Sequence, residues 1–417
     1  MSLRSFYYLA NIWRTPYASC EDIENLQLKK LRQVVTHAYE NSPFYHEKFA
    51  KAGVNPADIT SLKDITKIPF TTKKEIREAQ NNIIARNIPL HNCYRETTSG
   101  STGKKLVMYH SVDFKWFRYA LFYRMYINWG MKPFKKLTYI RFSPSEPTLL
   151  DTLGIAKTFY ISSFLDTDTQ FKLLCGHDPH ILVAHPPDLV TMARMQQELS
   201  TSLQFDFAVS NSELLTQKER EYIEEVFNCP VYEEYSSFEV GFMARNCKKK
   251  NMHIISDSVI LEFVKDGEVV SPGEQGEVVV TSLFKNATPF IRYYQGDVAS
   301  ESKTECDCGI TFPLMNVIEG RKDDFLVLPS GKKIPPTRVV PIFFNISGIK
   351  EFNVIQVSLT KVVINVVLGD SFEEREEEYL LELIKKELPG MDIDIQHVNS
   401  IERTAHGKKR AVINTVS

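Results

Sequence analysis

Apolar positions change their spacing along this chain, and each spacing predicts a different element. Leu26, Leu28, Leu31, Val34, Val35 and Ala38 fall on roughly one stripe, which predicts helix across residues 23–52. Asn41-Ser42-Pro43 interrupts that stripe, and "FYHEKFAKAGV" begins a second helix. "DFKWFRYALFYRMYIN", Asp113 to Asn128, is a long helical pattern whose aromatics recur at the spacing of a buried face. The middle third alternates short apolar runs ("KLTYIRF", "HILVAH", "FDFAVS", "CPVYEEY") with helical patterns ("DLVTMARMQQEL", "TQKEREYIEEVF"). Strand–helix alternation of this kind predicts a parallel α/β layer sandwich.

After Asn251 the texture turns to strands: "HIISDSVILEFV", "GEVVVTSL" and "PFIRYYQGD", separated by the turns "KDGE" and "SPGEQGE". From about residue 320 a compact unit follows. "EFNVIQVSLTKVVINVVLG" reads as two strands, and "SFEEREEEYLLELIKKELPG" as an amphipathic helix with Leu380, Leu383, Ile384 and Leu388 on one face and Pro389-Gly390 at its end. "DIDIQHV" is a further strand. The predicted class is α/β: a large N-terminal α/β domain with a β-rich subdomain, residues 1–319, then a small mobile α+β lid, residues 320–417.

Composition narrows the function classes. With 417 residues the chain is too long for one core. A net charge of −2 provides no basic field for nucleic acid. The N-terminal segment, "MSLRSFYYLANIWRTPYASC", is too short in its apolar run for a membrane span and is interrupted by Asn11, so it reads as an amphipathic segment packed on the body or weakly on a membrane surface. Seven cysteines, an odd number in a large chain, favour a reducing compartment, and a cytoplasmic location is expected.

The richest chemistry lies in "TTSGSTGKK", Thr97 to Lys105. It is not a P-loop: Gly100 and Gly103 stand three apart, and Lys104 is followed by Lys105 rather than Ser or Thr. Its glycines, hydroxyls and lysine nevertheless suit anionic oxygens, because bare backbone amides approach closely and Lys104 adds charge. Read alone, a flexible surface turn is an equal alternative.

Four further segments follow it in order: "YEEYSSFE" ending at Glu239, "PFIRYYQGD" ending at Asp297, "GRKDD" from Gly320 to Asp324, and "RTAHGKKR" from Arg403 to Arg410. Together the five resemble the ordered motifs of the adenylate-forming superfamily, over about three quarters of the chain. "HAYENSPFYHEKFAKAGV", "ARNC" with "MHI", and "CDCG" carry a narrower resemblance, to the phenylacetate–CoA ligase group with its coenzyme F390 synthetase-like and CapK-like relatives. Ser236 and Phe238 depart from the superfamily pattern, which has Gly and Thr at those places, and the chain is short for the group.

The resemblance implies an AMP-forming ligase: an acid attacks the α-phosphate of ATP, and the acyl-adenylate passes to a thiol, with coenzyme A, a carrier-protein thiol or an amine as acceptors. An amide-forming ligase is the close rival, and a nucleotide-binding relative without turnover is the third reading. Thr98, Ser99, Gly100, Ser101, Thr102, Gly103 and Lys104 would wrap the phosphates. Glu239 would hold Mg2+, a hard ion that prefers carboxylate oxygen. Tyr235, Ser236, Asp297 and Arg321 would bind the nucleotide, Asp297 at the ribose hydroxyls. Lys408 would stabilise charge in the transition state, with Lys409 as the register alternative, and Asp323 would be the hinge of a rotating lid. A homodimer is the assembly considered.

Cys247, His253, Cys306 and Cys308 supply three thiols and an imidazole, a common structural zinc set at an unusual spacing. The resemblance implies adjoining strands for these segments. Buried free thiols beside an unrelated histidine are the alternative.

Overall fold

The computed structural model describes residues 3–98, 106–144, 147–346, 348–369, 372–404 and 407–416. Its centre is an eight-stranded sheet. Strands Thr158–Ser162, Leu137–Arg141, Ile181–Ala184, Phe207–Asn211 and Val231–Ser237 run parallel in that spatial order, and Gly241–Asn246, Met252–Ile254 and Leu314–Met315 extend the sheet antiparallel. The inner parallel strands Ile181–Ala184 and Phe207–Asn211 are buried on both faces, so their successive residues feed two cores. Ile181, Val183, Phe207 and Val209 pack with helix Val112–Trp129, whereas Leu182, Ala184 and Ala208 pack with helices Thr167–His177, Pro186–Glu198 and Gln217–Phe227.

The helical expectations hold with sharper boundaries. Ser19 accepts from the Asp22 amide to start Cys20–Asn41, and Ser42 ends that helix while capping Pro43–Lys51. In Val112–Trp129 the aromatics Phe114, Phe117, Tyr123, Tyr126 and Trp129 are buried, as their spacing predicts. The N-terminal segment forms helix Leu3–Ile12, which lies on the body: Arg4 pairs with Asp113 at 2.8 Å, and Tyr8 meets Phe117 edge-on at 5.7 Å. No helix among the described residues is long and apolar enough to cross a membrane.

Two strand expectations are corrected. "HIISDSVILEFV" is not one strand: Met252–Ile254 belongs to the large sheet, and Val259–Lys265 to a separate five-stranded antiparallel sheet. The turn between them is held by Asp257, fully buried, which accepts from Arg124 at 2.5 and 2.9 Å. "PFIRYYQGD" pairs only from Tyr293 onward. Arg292 before it sits at φ 43°, its guanidinium fixed on Glu262 at 2.8 and 3.0 Å and over the Phe70 ring.

That five-stranded sheet ends on Gly320–Arg321, which pairs with Asp297 and Val298. After the short turn Lys322–Asp324, residues from Leu326 onward build their own hydrophobic cluster around a four-stranded sheet, Asp392–His397, Lys361–Leu368, Ile349–Ser358 and Val412–Asn414. Helix Glu374–Glu387 buries Leu380 and Ile384 against it, with Leu388 just beyond and Leu383 partly covered.

Candidate functional site

A cavity of about 930 Å³ lies where the parallel strands end and the C-terminal unit closes over them. This is the crevice outside the carboxyl ends of strands at which open α/β sheets gather ligands. It is lined by Thr98, Tyr235, Ser236, Glu239, Asp297, Arg321, Asp323, Lys408 and Lys409, so residues from all five separated motifs meet in one space. Ser99, Gly100, Ser101, Thr102, Gly103 and Lys104 lie outside the described residues.

Hydrogen bonds orient the acidic pair. The Tyr235 hydroxyl donates to Asp297 Oδ2 at 2.6 Å, and Arg321 Nε stands 3.7 Å from Asp297 Oδ1. The Tyr293 hydroxyl reaches Glu239 Oε1 at 3.4 Å. Burial raises the Asp297 carboxyl above its usual value, and Arg321 and the Tyr235 hydrogen bond oppose that shift. Burial alone would lower the Arg321 guanidinium, but Asp297 and Glu239 outweigh it and hold the group above its ordinary value.

Lys408 reaches the cavity from the C-terminal unit, its Nζ donating to the Ser212 carbonyl at 3.1 Å. Its loop is closed on itself: Thr404 and Lys408 exchange bonds at 2.8 and 3.2 Å, and Arg403 donates to the Gly407 carbonyl at 2.7 Å. Gly407 has φ 76°, and a Cβ there would lie 2.1 Å from Ser163 Oγ, so only glycine lets this loop approach the sheet. Burial pulls the Lys408 ammonium below its usual value, and Glu213 acts against that. Lys409 lines the same cavity but is held by Glu351 at 2.5 Å. Asp323 sits exposed in the Lys322–Asp324 turn, and its neighbour Asp324 pairs with Arg410.

Several lining residues escaped sequence reasoning. Lys73 opens helix Lys73–Ala79, and burial lowers its ammonium while Glu239 draws it up. Glu213 follows the strand ending at Asn211, and burial pushes it up to about 8. His185 also lines the cavity, just before helix Pro186–Glu198, but it lies in the middle-third stretch "AHPPD" where the sequence itself places the acid pocket. Arg118 and Glu234 lie deeper, on a helix and a strand that both read as core. The usable signal for Glu213 was position, since it lies two residues past the end of a parallel strand.

The four sulfur and imidazole ligands are gathered apart from this cavity. Ligand atoms of Cys247, His253, Cys306 and Cys308 all lie within 4.8 Å of one another. Cys247 Sγ and Cys306 Sγ are 3.7 Å apart, close to the edge of about 3.8 Å that tetrahedral zinc with bonds of about 2.3 Å requires. His253 Nδ1 donates to the Phe312 carbonyl at 2.8 Å, which leaves the Nε2 lone pair facing Cys308 at 3.3 Å. The donor set therefore fits a closed zinc site.

Comparisons with known proteins agree with this architecture. Residues 326–415 match the family model of the CapK C-terminal domain. The chain is 28% identical over 342 residues to phenylacetate-coenzyme A ligase of Thermus thermophilus, covering 78% of this chain and 76% of that one. It is 25% identical over 425 residues to protein CapK of Staphylococcus aureus, covering 95% and 90%. Among solved structures, 2-hydroxyisobutyryl-CoA ligase in its postadenylation state with R3-HIB-AMP superimposes with a TM-score of 0.83 at 21% identity, over 96% of this chain and 91% of that one.

Proposed function

We propose a function from one premise: the chain belongs to the phenylacetate–CoA ligase and CapK-like group of the adenylate-forming superfamily. On that footing it is an AMP-forming ligase that activates a carboxylic acid with ATP and passes the acyl group to a thiol, with coenzyme A as the acceptor. The observation that carries the reading is the convergence of Lys408, Arg321, Asp297 and Glu239 on one cavity.

In the first half-reaction a carboxylate oxygen of the acid attacks the α-phosphorus of ATP. The bond from that phosphorus to the oxygen bridging the β-phosphorus breaks, and pyrophosphate leaves. Chemistry of this kind depends mainly on positioning and on neutralising charge. Lys408 Nζ bridges the entering carboxylate and the α-phosphate, where negative charge gathers. Asp297, oriented by Tyr235, accepts from the ribose hydroxyls, and Arg321 approaches the same nucleotide from the lid side. Thr98 and the loop that follows it, through Lys104, take the outer phosphates. Glu239 would hold Mg2+, which when bound supplies charge neutralisation for the phosphates. In the second half-reaction the acceptor sulfur attacks the acyl carbon, the carbon–oxygen bond to phosphate breaks and AMP leaves. Residues 320–417 act as the lid, turning at Asp323 to withdraw Lys408 between the steps.

Cys247, His253, Cys306 and Cys308 would hold zinc with all four positions filled, so the ion supplies a structural cross-link.

Acid-dependent exchange of pyrophosphate into ATP tests the activation step, and release of ADP and phosphate in its place would refute it. Consumption of coenzyme A, against consumption of an added amine, separates the thiol acceptor from the amide-forming alternative. Glu239→Gln should raise the Mg2+ concentration needed for exchange. An unchanged titration removes that residue from the metal site.

A further inference from the structure

Glu234 is one residue before Tyr235 on strand Val231–Ser237, so it stands beside the adenylate site while facing deeper into the cavity. It is 9% exposed. Oε1 accepts from Asn211 Nδ2 at 3.3 Å, but Oε2 is buried with no hydrogen-bond partner. A buried carboxylate oxygen left in that condition is costly, and a native fold keeps it only where something else completes it. Burial pushes the group up to about 7, with Asn211, Arg141 and Arg118 pulling the other way.

The neighbours define what would complete it. Arg118 lines the same cavity, but its guanidinium is already committed to Glu96 at 3.2 and 3.4 Å, and Glu96 also pairs with His110 at 3.3 Å. The Arg118 charge is thereby matched within the protein, and Arg141, also on the cavity wall, already acts on Glu234 itself. Tyr126, buried, and Tyr139, partly buried, lie close enough to feel the charge of Glu234. Tyr139 stacks on Tyr160 at 5.7 Å and 9°, and with Phe242 it presents an apolar wall. An acid ending in a second carboxylate would meet Glu234 as a like charge, and an acid ending in a methyl group would seal Oε2 away from water unpaired.

We propose that Glu234 receives the end of the substrate acid remote from its carboxylate, and that this end carries a hydrogen-bond donor, an amine or a hydroxyl. The inference rests on the ligase reading given above. It makes Glu234 the specificity-determining residue, because a site built to bond a donor rejects the analogue that lacks one.

The test uses matched acids that differ only in one terminal group: β-alanine, 3-hydroxypropionate and butyrate; 4-amino-, 4-hydroxy- and 4-methylbenzoate; and the corresponding phenylacetates. With the full-length protein, pyrophosphate exchange should favour the donor-bearing acid over its methyl isostere by at least about 10²-fold in kcat/KM within whichever series is used. Glu234→Leu should collapse or invert that ratio. Glu234→Gln should keep hydroxy acids and lose amino acids if the donor is an ammonium, and keep both if it is a hydroxyl. A wild-type ratio at or below one, or a ratio unchanged in Glu234→Leu, overturns the inference. Exchange with none of the acids would count against the ligase reading instead. In that case thermal shifts of the wild type with AMP plus each acid decide the matter, and equal shifts for donor and methyl partners overturn it.

Discussion

Arg403 donates to Asp188 at 2.7 Å and, through its other terminal nitrogen, to the carbonyl of Gly407 at 2.7 Å. Asp188 belongs to the first turn of helix Pro186–Glu198 in the large sheet's layer, whereas Gly407 directly precedes Lys408. One guanidinium therefore ties the lysine loop to the body of the protein. The carboxylate is 2% exposed on its side chain, so water screens the pair little.

Removing the charge at Asp188 should loosen the loop without touching the bound nucleotide. Asp188→Asn is expected to slow adenylation by about 10-fold, the effect of a modest misplacement of a positioned group. Acyl transfer from chemically supplied acyl-adenylate should stay near the wild-type rate, because the proposed lid rotation withdraws the lysine for that step. Rapid-quench measurement of each half-reaction separates the two. Equal slowing of both would make Asp188 a residue of general stability.

Lys408 and Asp323 make opposite predictions for the same pair of assays. Lys408→Ala should lower adenylation by about 10² or more, as when a preorganised charge is lost from a transition state. Transfer should survive. Asp323→Pro should preserve the first turnover and slow transfer, since proline fixes φ at the turn Lys322–Asp324. Parallel losses in both variants would contradict a rotating lid.

What the sequence disclosed and what it hid divide by the range of the forces involved. Leu380 and Ile384 were legible because a helix in contact with one core repeats its apolar residues at its own period. Glu239, Asp297 and Lys408 were legible because their motifs resemble a family's. The break between Met252–Ile254 and Val259–Lys265 was not, because the turn depends on Asp257 meeting Arg124, which lies 133 positions away. Glu234 was hidden by its setting in "CPVYEEY", which reads as one of the short apolar runs of the central sheet. Lys73 carries no motif of its own and gains a role only where the fold brings Glu239 near it. Local periodicity reports one element at a time, and a cavity is made by several.

Zinc should matter for folding more than for chemistry. The cluster joins the end of strand Gly241–Asn246 and strand Met252–Ile254 to the loop that carries Cys306 and Cys308, some 50 residues further on. Purified protein should carry about one zinc per chain by elemental analysis, as four-coordinate binding dictates. Cys306→Ser or Cys308→Ser should lower Tm while KM for ATP in the folded fraction stays nearly unchanged. Full stability in metal-free protein would show that these are ordinary buried thiols.

Glu219 yields a prediction for pH. It is the third residue of helix Gln217–Phe227, 4% exposed, and its Oε2 accepts from the Thr216 amide at 2.7 Å in a capping box. Burial pushes the carboxyl from 4.5 up to about 7, with the Thr216 bonds opposing. Between those values the folded protein holds a proton at this site that the unfolded chain has released. Stability therefore falls as pH rises through that window and levels off above it, where both states are ionised. Gln at this position keeps an oxygen for the Thr216 amide but carries no titrating group. The difference in Tm between Glu219→Gln and the wild type should accordingly move in favour of the variant from pH 5 to pH 8 and then stay constant. A difference that is flat across the range, or that moves toward the wild type, would mean that Glu219 is ionised throughout and that the capping box is a charge-assisted one.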